Sequence, residues 1–453
     1  MRKVLIANRS EIALRVIRTC RELELATVAV YSDADRDAIH VREADEAVAI
    51  GKPHARESYL NAEKLIDAAR ETDADAIHPG YGFLSESSRF AGACEAAGIT
   101  FVGPPPGAIA AMGDKAAARR LAGDAGVPVV PGTDASADPE ASLRGVDGVG
   151  YPVMVKAAAG GGGRGIRIAR DADELRGLVG DAAREAEAAF GDGSLYVEKL
   201  LERARHVEIQ VVGDRHGKVV HFYERECSLQ RRRQKLVEES PSPALDPSTR
   251  EAMARAAVRL AEAVEYTSAG TVEFLVDEDD RFYFIEMNTR LQVEHGVTEM
   301  VTGTDLVREQ LRVAAGEPLE LSQDDVRPNG SSVEFRVNAE DPERDFQPAP
   351  GRIESLELPG GPGVRIDTAI YPGYAVPPFY DSLIAKLMVW APTREQALRR
   401  GRRALEEFRI EGVATTIPLH LRLVEDERVV AGDVHTGYLE ELLASPQEVG
   451  ETA

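Results

Sequence analysis

The sequence predicts an α/β fold, α+β in part: an N-terminal open parallel βαβ region, a central α/β region with a covering flap, and a C-terminal mixed β/α region. Three observations lead there. Apolar strands alternate with helix-period segments near the start, a strand–glycine loop–strand unit follows, and the remainder reads as hairpins and short strands followed by a helix. At 453 residues, 43% of them hydrophobic and 6% aromatic, the chain has the size and composition of a globular enzyme of two or three domains.

Lys3 to Ala7 is a short apolar strand, Ile12, Val16 and Cys20 recur at helical spacing between Ser10 and Leu23, and Thr27 to Tyr31 is a second strand. This is a βαβ opening. Its first turn, Ala7-Asn-Arg-Ser-Glu, lacks the Gly-x-Gly-x-x-Gly of a dinucleotide site, which argues against NAD. Strands at Ala74 to His78 and Ile99 to Val102 extend the parallel sheet, and Pro104-Pro-Pro-Gly107 punctuates a boundary.

Beyond Met112-Gly-Asp-Lys115 and a helix, the strand ending in Lys156 runs into Ala157-Ala-Ala-Gly-Gly-Gly-Gly-Arg-Gly165, and a strand follows at Ile166 to Ala169. Glycine lets backbone amides approach a phosphate without side-chain interference, so this unit reads as a nucleotide-covering flap. It is not a P-loop: the loop has no Gly-Lys-Ser/Thr and leads to a strand. After a strand from Ser194 to Leu201, a hairpin pairs His206 to Val212 with Lys218 to Tyr223. In it His206, Glu208 and Gln210 alternate with Val207, Ile209 and Val211, a pattern shared by a ligand-binding sheet face and a half-exposed strand. Gln230 and the basic run to Lys235 fit an anion-binding loop and a solvated turn equally.

Phe284 to Glu299 holds the densest chemistry. Glu286 and Asn288, two apart on a strand, are expected to project to one face together with Phe284. With Glu273 from the neighbouring run Thr271 to Val276 they make an oxygen-rich pocket suited to a hard divalent cation, which also takes phosphate oxygens. Arg290 and Glu294 add a fixed cation and a candidate base, the anatomy of phosphoryl transfer to an anionic co-substrate. Further on, Val333 to Asp341 and Tyr380 to Trp390 read as short strands. A helix follows with Thr393-x-x-Gln396 as its capping box, and Arg399, Arg400, Arg402 and Arg403 read as its solvated face.

A net charge of −23 argues against nucleic-acid binding. No apolar run approaches a membrane span, and the start reads as a strand, not a signal peptide, so a cytoplasmic location is expected. Cys20, Cys94 and Cys227 are too scattered for a disulfide framework or zinc site. Nine lysines stand against 45 arginines, and Lys115, Lys156, Lys199 and Lys235 all adjoin the motifs above, where a compact ammonium suits point-charge contact with phosphate.

Taken together the chain resembles the biotin carboxylase component of biotin-dependent carboxylases, an ATP-grasp family. The likeness rests on Ile6-Ala-Asn-Arg-Ser-Glu-Ile-Ala, His78-Pro-Gly-Tyr-Gly-Phe-Leu-Ser-Glu86, Met112 to Lys115, the Lys156 flap, Arg205 to Gln210, Glu224 to Lys235, Glu286 to Glu299 and Glu334 to Asp341, in that order. The resemblance implies three domains: residues 1–112, an ATP-grasp domain over 113–330 with a mobile lid at about 131–203, and residues 331–446. It implies ATP phosphate contacts for Lys115 and Lys156 under Gly162 and Gly163, a base pocket lined by Glu198, Lys199 and Leu201, and a ribose side at His206 and Gln230. Magnesium or manganese would lie on Glu273, Glu286 and Asn288. Lys235, Arg290, Gln292 and the Val293 amide would hold bicarbonate, Glu294 would be its base, and Arg336 would steady the biotin enolate.

Ser10 stands where the family usually has glycine, Ala159 shortens the glycine run, Arg233 replaces a frequent histidine, Phe335 a frequent cysteine, and Gly296 a proline, which is expected to loosen the loop of Glu294. Carriers of this family attach biotin to lysine in Met-Lys-Met; no Met-Lys occurs here, and the residues after Tyr438 are too few for a carrier domain. A separate biotin carboxyl carrier protein and a carboxyltransferase are therefore expected, and the resemblance implies a homodimer. Two rival readings remain at this level. A carbamoyl-phosphate synthetase half also makes carboxyphosphate, but that large chain carries two copies of the unit; a non-catalytic nucleotide-binding regulator should have lost a base or metal ligand.

Overall fold

The computed structural model describes residues 1–138, 141, 143–158 and 166–444. Gly162, Gly163 and Ala159 of the predicted flap lie outside them. The N-terminal sheet is all parallel, in the order β3-β2-β1-β4-β5, built from β1 (Lys3–Ile6), β2 (Ala26–Ser32), β3 (Glu46–Gly51), β4 (Ala76–His78) and β5 (Thr100–Phe101). β3, half-exposed at the sheet edge, carries only the four-residue apolar run Ala47–Ile50 behind Glu46 and was not anticipated. The helix Ser10–Glu22 buries Ile12, Val16, Ile17 and Cys20 on one stripe, which packs with Val4 and Ile6 of β1 and with Leu306 and Leu311 of the central region.

Ser10 starts that helix at φ 60°, the left-handed region that favours glycine, which is why serine there is a departure with a cost. The residue before it is tied down: Arg9 donates from Nε and a terminal nitrogen to the Asp35 carboxylate at 2.7 and 2.6 Å, and the Tyr59 hydroxyl donates to Asp35 at 2.7 Å.

The next three strands, β6 (Val153–Ala157), β7 (Arg167–Ala169) and β8 (Leu195–Lys199), form a small antiparallel sheet covered by the helix Ala172–Phe190. The main sheet has eight strands in the order β13-β12-β9-β10-β11-β14-β19-β18. These are β9 (Arg205–Gly213), β10 (Val219–Arg231), β11 (Gln234–Ser240), β12 (Ser268–Val276), β13 (Phe282–Asn288), β14 (Ser331–Asn338), β18 (Val364–Thr368) and β19 (Leu383–Ala391). The intervening β15 (Glu340–Asp341), β16 (Gln347–Pro348) and β17 (Ser355–Glu357), with β20 (Arg409–Glu411), make two minor ribbons.

One expectation changes here. The segments around Val333 and Leu383 are not separate short strands: β11 pairs with β14 from Val237↔Phe335 to Ser240↔Ser332, so one sheet runs through the expected boundary near residue 330. Alternation along these strands divides the sheet into two faces. Val207, Ile209, Val211, Val272 and Phe274 pack under the helix Pro247–Ala263, while Val333, Phe335, Val337, Leu387 and Val389 pack under the helix Arg394–Glu407. Phe335 is accommodated beside Gly401, where a Cβ would come within 2.8 Å of its ring. On the latter helix Arg399, Arg402 and Arg403 pair with Glu395, Glu406 and Glu407 one turn away, as a solvated face does.

Ser10→Gly is expected to stabilise the protein by about 1 kcal/mol, the relief of a left-handed non-glycine residue less the entropy glycine adds to the unfolded chain. Urea unfolding checks it, and a midpoint that stays or falls would show that the fold absorbs this conformation without strain.

Candidate active site

The opposite face of the main sheet is polar and nearly dry. Register aligns Glu286, Glu273, Glu208 and Arg225 across β13, β12, β9 and β10, and aligns Glu238 with Glu334 and Arg336 with Lys386 further along. The chain leaves β13 at Asn288 and crosses back over this face as residues 289–294, anchored by the fully buried Leu291, before the helix His295–Thr302.

Lys235 is the centre. Its ammonium donates to Glu208 Oε2 at 2.6 Å, Glu273 Oε1 at 3.1 Å and Glu294 Oε1 at 2.6 Å, using all its donors on carboxylates. Burial alone would lower its pKa, but Cys227 and these carboxylates raise it well above the ordinary lysine range. Burial likewise works to raise Glu294 and Glu273. The cations win: Lys235, Arg336 and Arg225 pull Glu294 below the usual carboxylate range, and Lys235 and His206 do so for Glu273. His206 Nε2 lies 3.0 Å from Glu273 Oε2, whose other oxygen also accepts from Asn288 Nδ2 at 2.9 Å and Gln292 Nε2 at 2.8 Å. Arg336 donates to Glu294 Oε2 at 3.0 Å and to Glu238 Oε1 at 2.6 Å.

Arg290 donates to Asn288 Oδ1 at 2.9 Å and to Glu86 Oε2 at 3.0 Å, while Glu86 also accepts the Thr289 amide at 3.2 Å. Glu86 thus brings the N-terminal region to the site. A cavity of about 300 Å³ opens there, lined by Glu86, Met112, Lys115, Glu286, Asn288 and Thr289. Burial, then Glu273, raises Glu286, and Lys115 at 3.7 Å only partly offsets this. Glu273 has Lys235 and His206 beside it, so Glu286 is the under-compensated member of the facing pair; a divalent cation on these carboxylates and the Asn288 oxygen would relieve the repulsion that raises Glu286.

The helix Lys115–Asp124 connects this cavity to the small sheet. Lys115 and Arg119 lie one turn apart on one face; the first reaches Glu286, and the second donates to Glu198 of β8, which also binds Lys156 of β6. Lys156 and Glu198 are therefore partners here, a pairing that the alternation of their strands did not show. Lys199 donates to the carbonyls of Tyr151 at 2.7 Å and Gly150 at 3.3 Å, Leu201 is half-buried, and Gln230 is buried opposite Lys235 in the β10–β11 hairpin. The Val293 carbonyl accepts from Lys386 at 2.8 Å.

Two expectations are corrected, and one pair of open readings is narrowed. Phe284 does not share the face of Glu286, because a bulge between Glu273 and Phe274 breaks the alternation and sends Phe284 into the core with Met287. Gly296 does not sit in a loop: it is buried in the helix His295–Thr302, packed so closely that a Cβ would meet Met388 Sδ at 2.1 Å. The basic run is not a free anion loop, since Arg231 and Arg232 both bind Asp345. Arg232 and Arg233, at φ 47° and 67°, form the two-residue turn of the hairpin and leave Arg233 exposed.

Sequence reasoning gave no role to Arg225, Glu238 or Glu86, and placed Glu208 only on a polar strand face. Arg225 is fully buried and donates to Glu208 Oε1 at 2.5 Å, Gln210 Oε1 at 2.8 Å, Thr298 at 3.0 Å, Thr271 at 3.1 Å and Gln292 Oε1 at 2.7 Å. The last bond turns the Gln292 amide so that its NH2 faces Glu273. An arginine at an inward-facing strand position was the available signal.

Residues 1–109 match the family model described as biotin carboxylase, N-terminal domain, and residues 334–441 the biotin carboxylase C-terminal domain; residues 114–322 match the carbamoyl-phosphate synthase L chain, ATP binding domain. A biotin carboxylase of Nostoc sp. is 54% identical over 441 residues, covering 97% of this chain and 99% of that one. The chain belongs to the biotin carboxylase family. Among solved structures, the biotin carboxylase domain dimer of the Hydrogenobacter thermophilus 2-oxoglutarate carboxylase, in complex with MgADP, ADP and bicarbonate, is similar at a TM-score of 0.92 and 51% identity, covering 98% of this chain and 99% of that one. A Campylobacter jejuni biotin carboxylase complex with β-γ-ATP is similar at 0.93 and 47% identity, covering 97% and 98%. As in other biotin carboxylases, the fold is mixed α/β with an N-terminal parallel sheet and a central antiparallel one. Among the described residues no helix is long and apolar enough to cross a membrane.

Glu238 supplies a pH test. Burial pushes its carboxyl up to about 7 from an ordinary 4.5, with Arg336 opposing. The folded chain thus keeps it protonated at pH values where the unfolded chain does not, so its contribution to stability is complete below about 4.5 and lost as pH rises through about 7. Melting curves of Glu238→Gln and the parent should diverge in the variant's favour across that interval; a constant difference would remove Glu238 as the source.

Proposed function

We propose that this chain carries out the ATP- and bicarbonate-dependent carboxylation of biotin held on a separate carrier protein, the first half-reaction of an acyl-CoA or 2-oxo acid carboxylase. The observation behind this reading is the convergence of Lys235, Glu273, Glu294, Arg336 and Arg290 on one buried face beside the Lys115–Glu286 cavity. The family membership supports it.

In this reading Lys115 and Lys156 contact the ATP phosphates, Glu198, Lys199 and Leu201 line the base pocket, and His206 and Gln230 lie on the ribose side. Glu273, Glu286 and Asn288 hold magnesium or manganese, which supplies charge neutralisation at the transferring phosphoryl group. Lys235, Arg290, Gln292 and the Val293 amide hold bicarbonate. Without substrate, Lys235 and Arg336 are spent on Glu294 and keep it ionised; an arriving anion draws those cations away and raises the basicity of the carboxylate. Glu294 then accepts the bicarbonate proton, and the freed oxyanion attacks the γ-phosphorus to give carboxyphosphate and ADP. Carboxyphosphate breaks into CO2 and phosphate, phosphate takes the N1′ proton of biotin, and Arg336 stabilises the enolate oxygen while carbon–nitrogen bond formation captures CO2.

Residues 1–112, 113–330 and 331–446 serve as the working domains, with about 131–203 as the lid, a division that the three family-model matches support although the main sheet crosses its second boundary. A cytoplasmic location, self-association as a homodimer, and a carrier protein and carboxyltransferase as partners complete the proposal; relatives include a pyruvate carboxylase subunit and a 2-oxoglutarate carboxylase small subunit.

Bicarbonate-dependent ADP release by the purified chain should rise on adding free biotin. Glu294→Gln is expected to lower that rate by about 10²–10⁴-fold and leave nucleotide affinity intact. A variant as fast as the parent would remove Glu294 from the chemistry, and ADP release indifferent to biotin would favour a carbamoyl-phosphate synthetase-like reaction.

A further inference from the structure

Lys386 has no part in the reaction outlined above, yet its side chain is completely buried in the middle of β19. Its ammonium donates to the Val293 carbonyl at 2.8 Å and lies 3.7 Å from both Glu11 Oε2 and Asp367 Oδ2. Lys386 stands directly opposite Arg336 on β14 and Asp367 on β18. Like charges side by side on a sheet repel; here Glu11, Glu238, Glu294, Glu334 and Asp367, all buried, surround the pair. Although burial disfavours its charge, Glu11, Glu334 and Asp367 raise the Lys386 pKa.

The two opposed cations grip consecutive residues: Lys386 takes the backbone carbonyl of Val293, and Arg336 takes the carboxylate of Glu294. Glu294 occupies the N-cap of the helix His295–Thr302 but makes no side-chain capping bond, so its carboxylate is free for the site and is aimed by its backbone. We infer that Lys386 is a positioning residue for Glu294, pinning the preceding peptide so that the carboxylate meets Lys235 and Arg336 together. The inference rests on the reading of Glu294 as the base that deprotonates bicarbonate.

Lys386→Met would leave Glu11 and Asp367 buried without their ammonium, so the decisive protein is the double variant K386M/E11Q, which removes one acid with the base. With MgATP, bicarbonate and free biotin, kcat for ADP release should fall by about 10²-fold, the scale of an ångström-level misplacement of a reacting group, with KM for ATP unchanged. A folded double variant with the parent's kcat and KM for bicarbonate overturns the inference. Should it not fold, K386R keeps a cation beside the two acids while moving its donors; parental kcat in that variant overturns the inference equally. An inactive Glu294→Gln beside a fully active K386M/E11Q sinks this inference alone, whereas an active Glu294→Gln sinks the reading beneath it.

Discussion

The bonding of Lys235 to Glu208, Glu273 and Glu294 is the constraint on which the site depends. Carboxylates from two strands and a crossing segment are brought out of water, and each would be costly alone. Lys235, Arg225 and Arg336 make the arrangement tolerable by giving each acid a donor at hydrogen-bond distance. A site built this way holds its anions with cations that an incoming anion can recruit. In the proposed reaction, charge compensation and bicarbonate binding would be the same set of contacts at different moments.

The architecture makes that set possible by continuity. Because β11 pairs with β14, Glu238 and Arg336 lie on the same sheet as Glu208 and Glu273, and their spacing is set by backbone hydrogen bonds, not by docking of separate units. The covering segment 289–294 is held from three sides: Arg225 on Gln292 from below, Glu86 on Thr289 and Arg290 from the N-terminal region, and Lys386 on Val293 from β19. The helix Lys115–Asp124 links the small sheet to the same cavity through Lys115 and Arg119. Contacts that are far apart in the chain thus bear on one short stretch of backbone.

Periodicity exposed the βαβ opening, the hairpin and the helix from Arg394, because local burial patterns report which face is apolar whatever lies beyond it. It missed β3, whose apolar run Ala47–Ile50 is only four residues long at a half-exposed edge, and was misleading at Phe284, where one extra residue in β13 reverses the alternation. Glu286, Asn288, Arg290 and Glu294 were legible as a group because they are neighbours in sequence. Arg225 and Glu238 were not, since an inward-facing charge shows its purpose only when its partner is known.

Composition, alternation and ordered motifs by themselves determined the fold class, the family resemblance and most of the candidate residues, for these depend on residue type and short spacing. Tertiary structure alone decided that Lys235 joins three acids, that Lys156 is held by Glu198, and that Lys386 reaches the peptide before Glu294. The reason is physical: a buried charge is stable only beside its counter-charge, and strand pairing, which no local pattern encodes, chooses that neighbour.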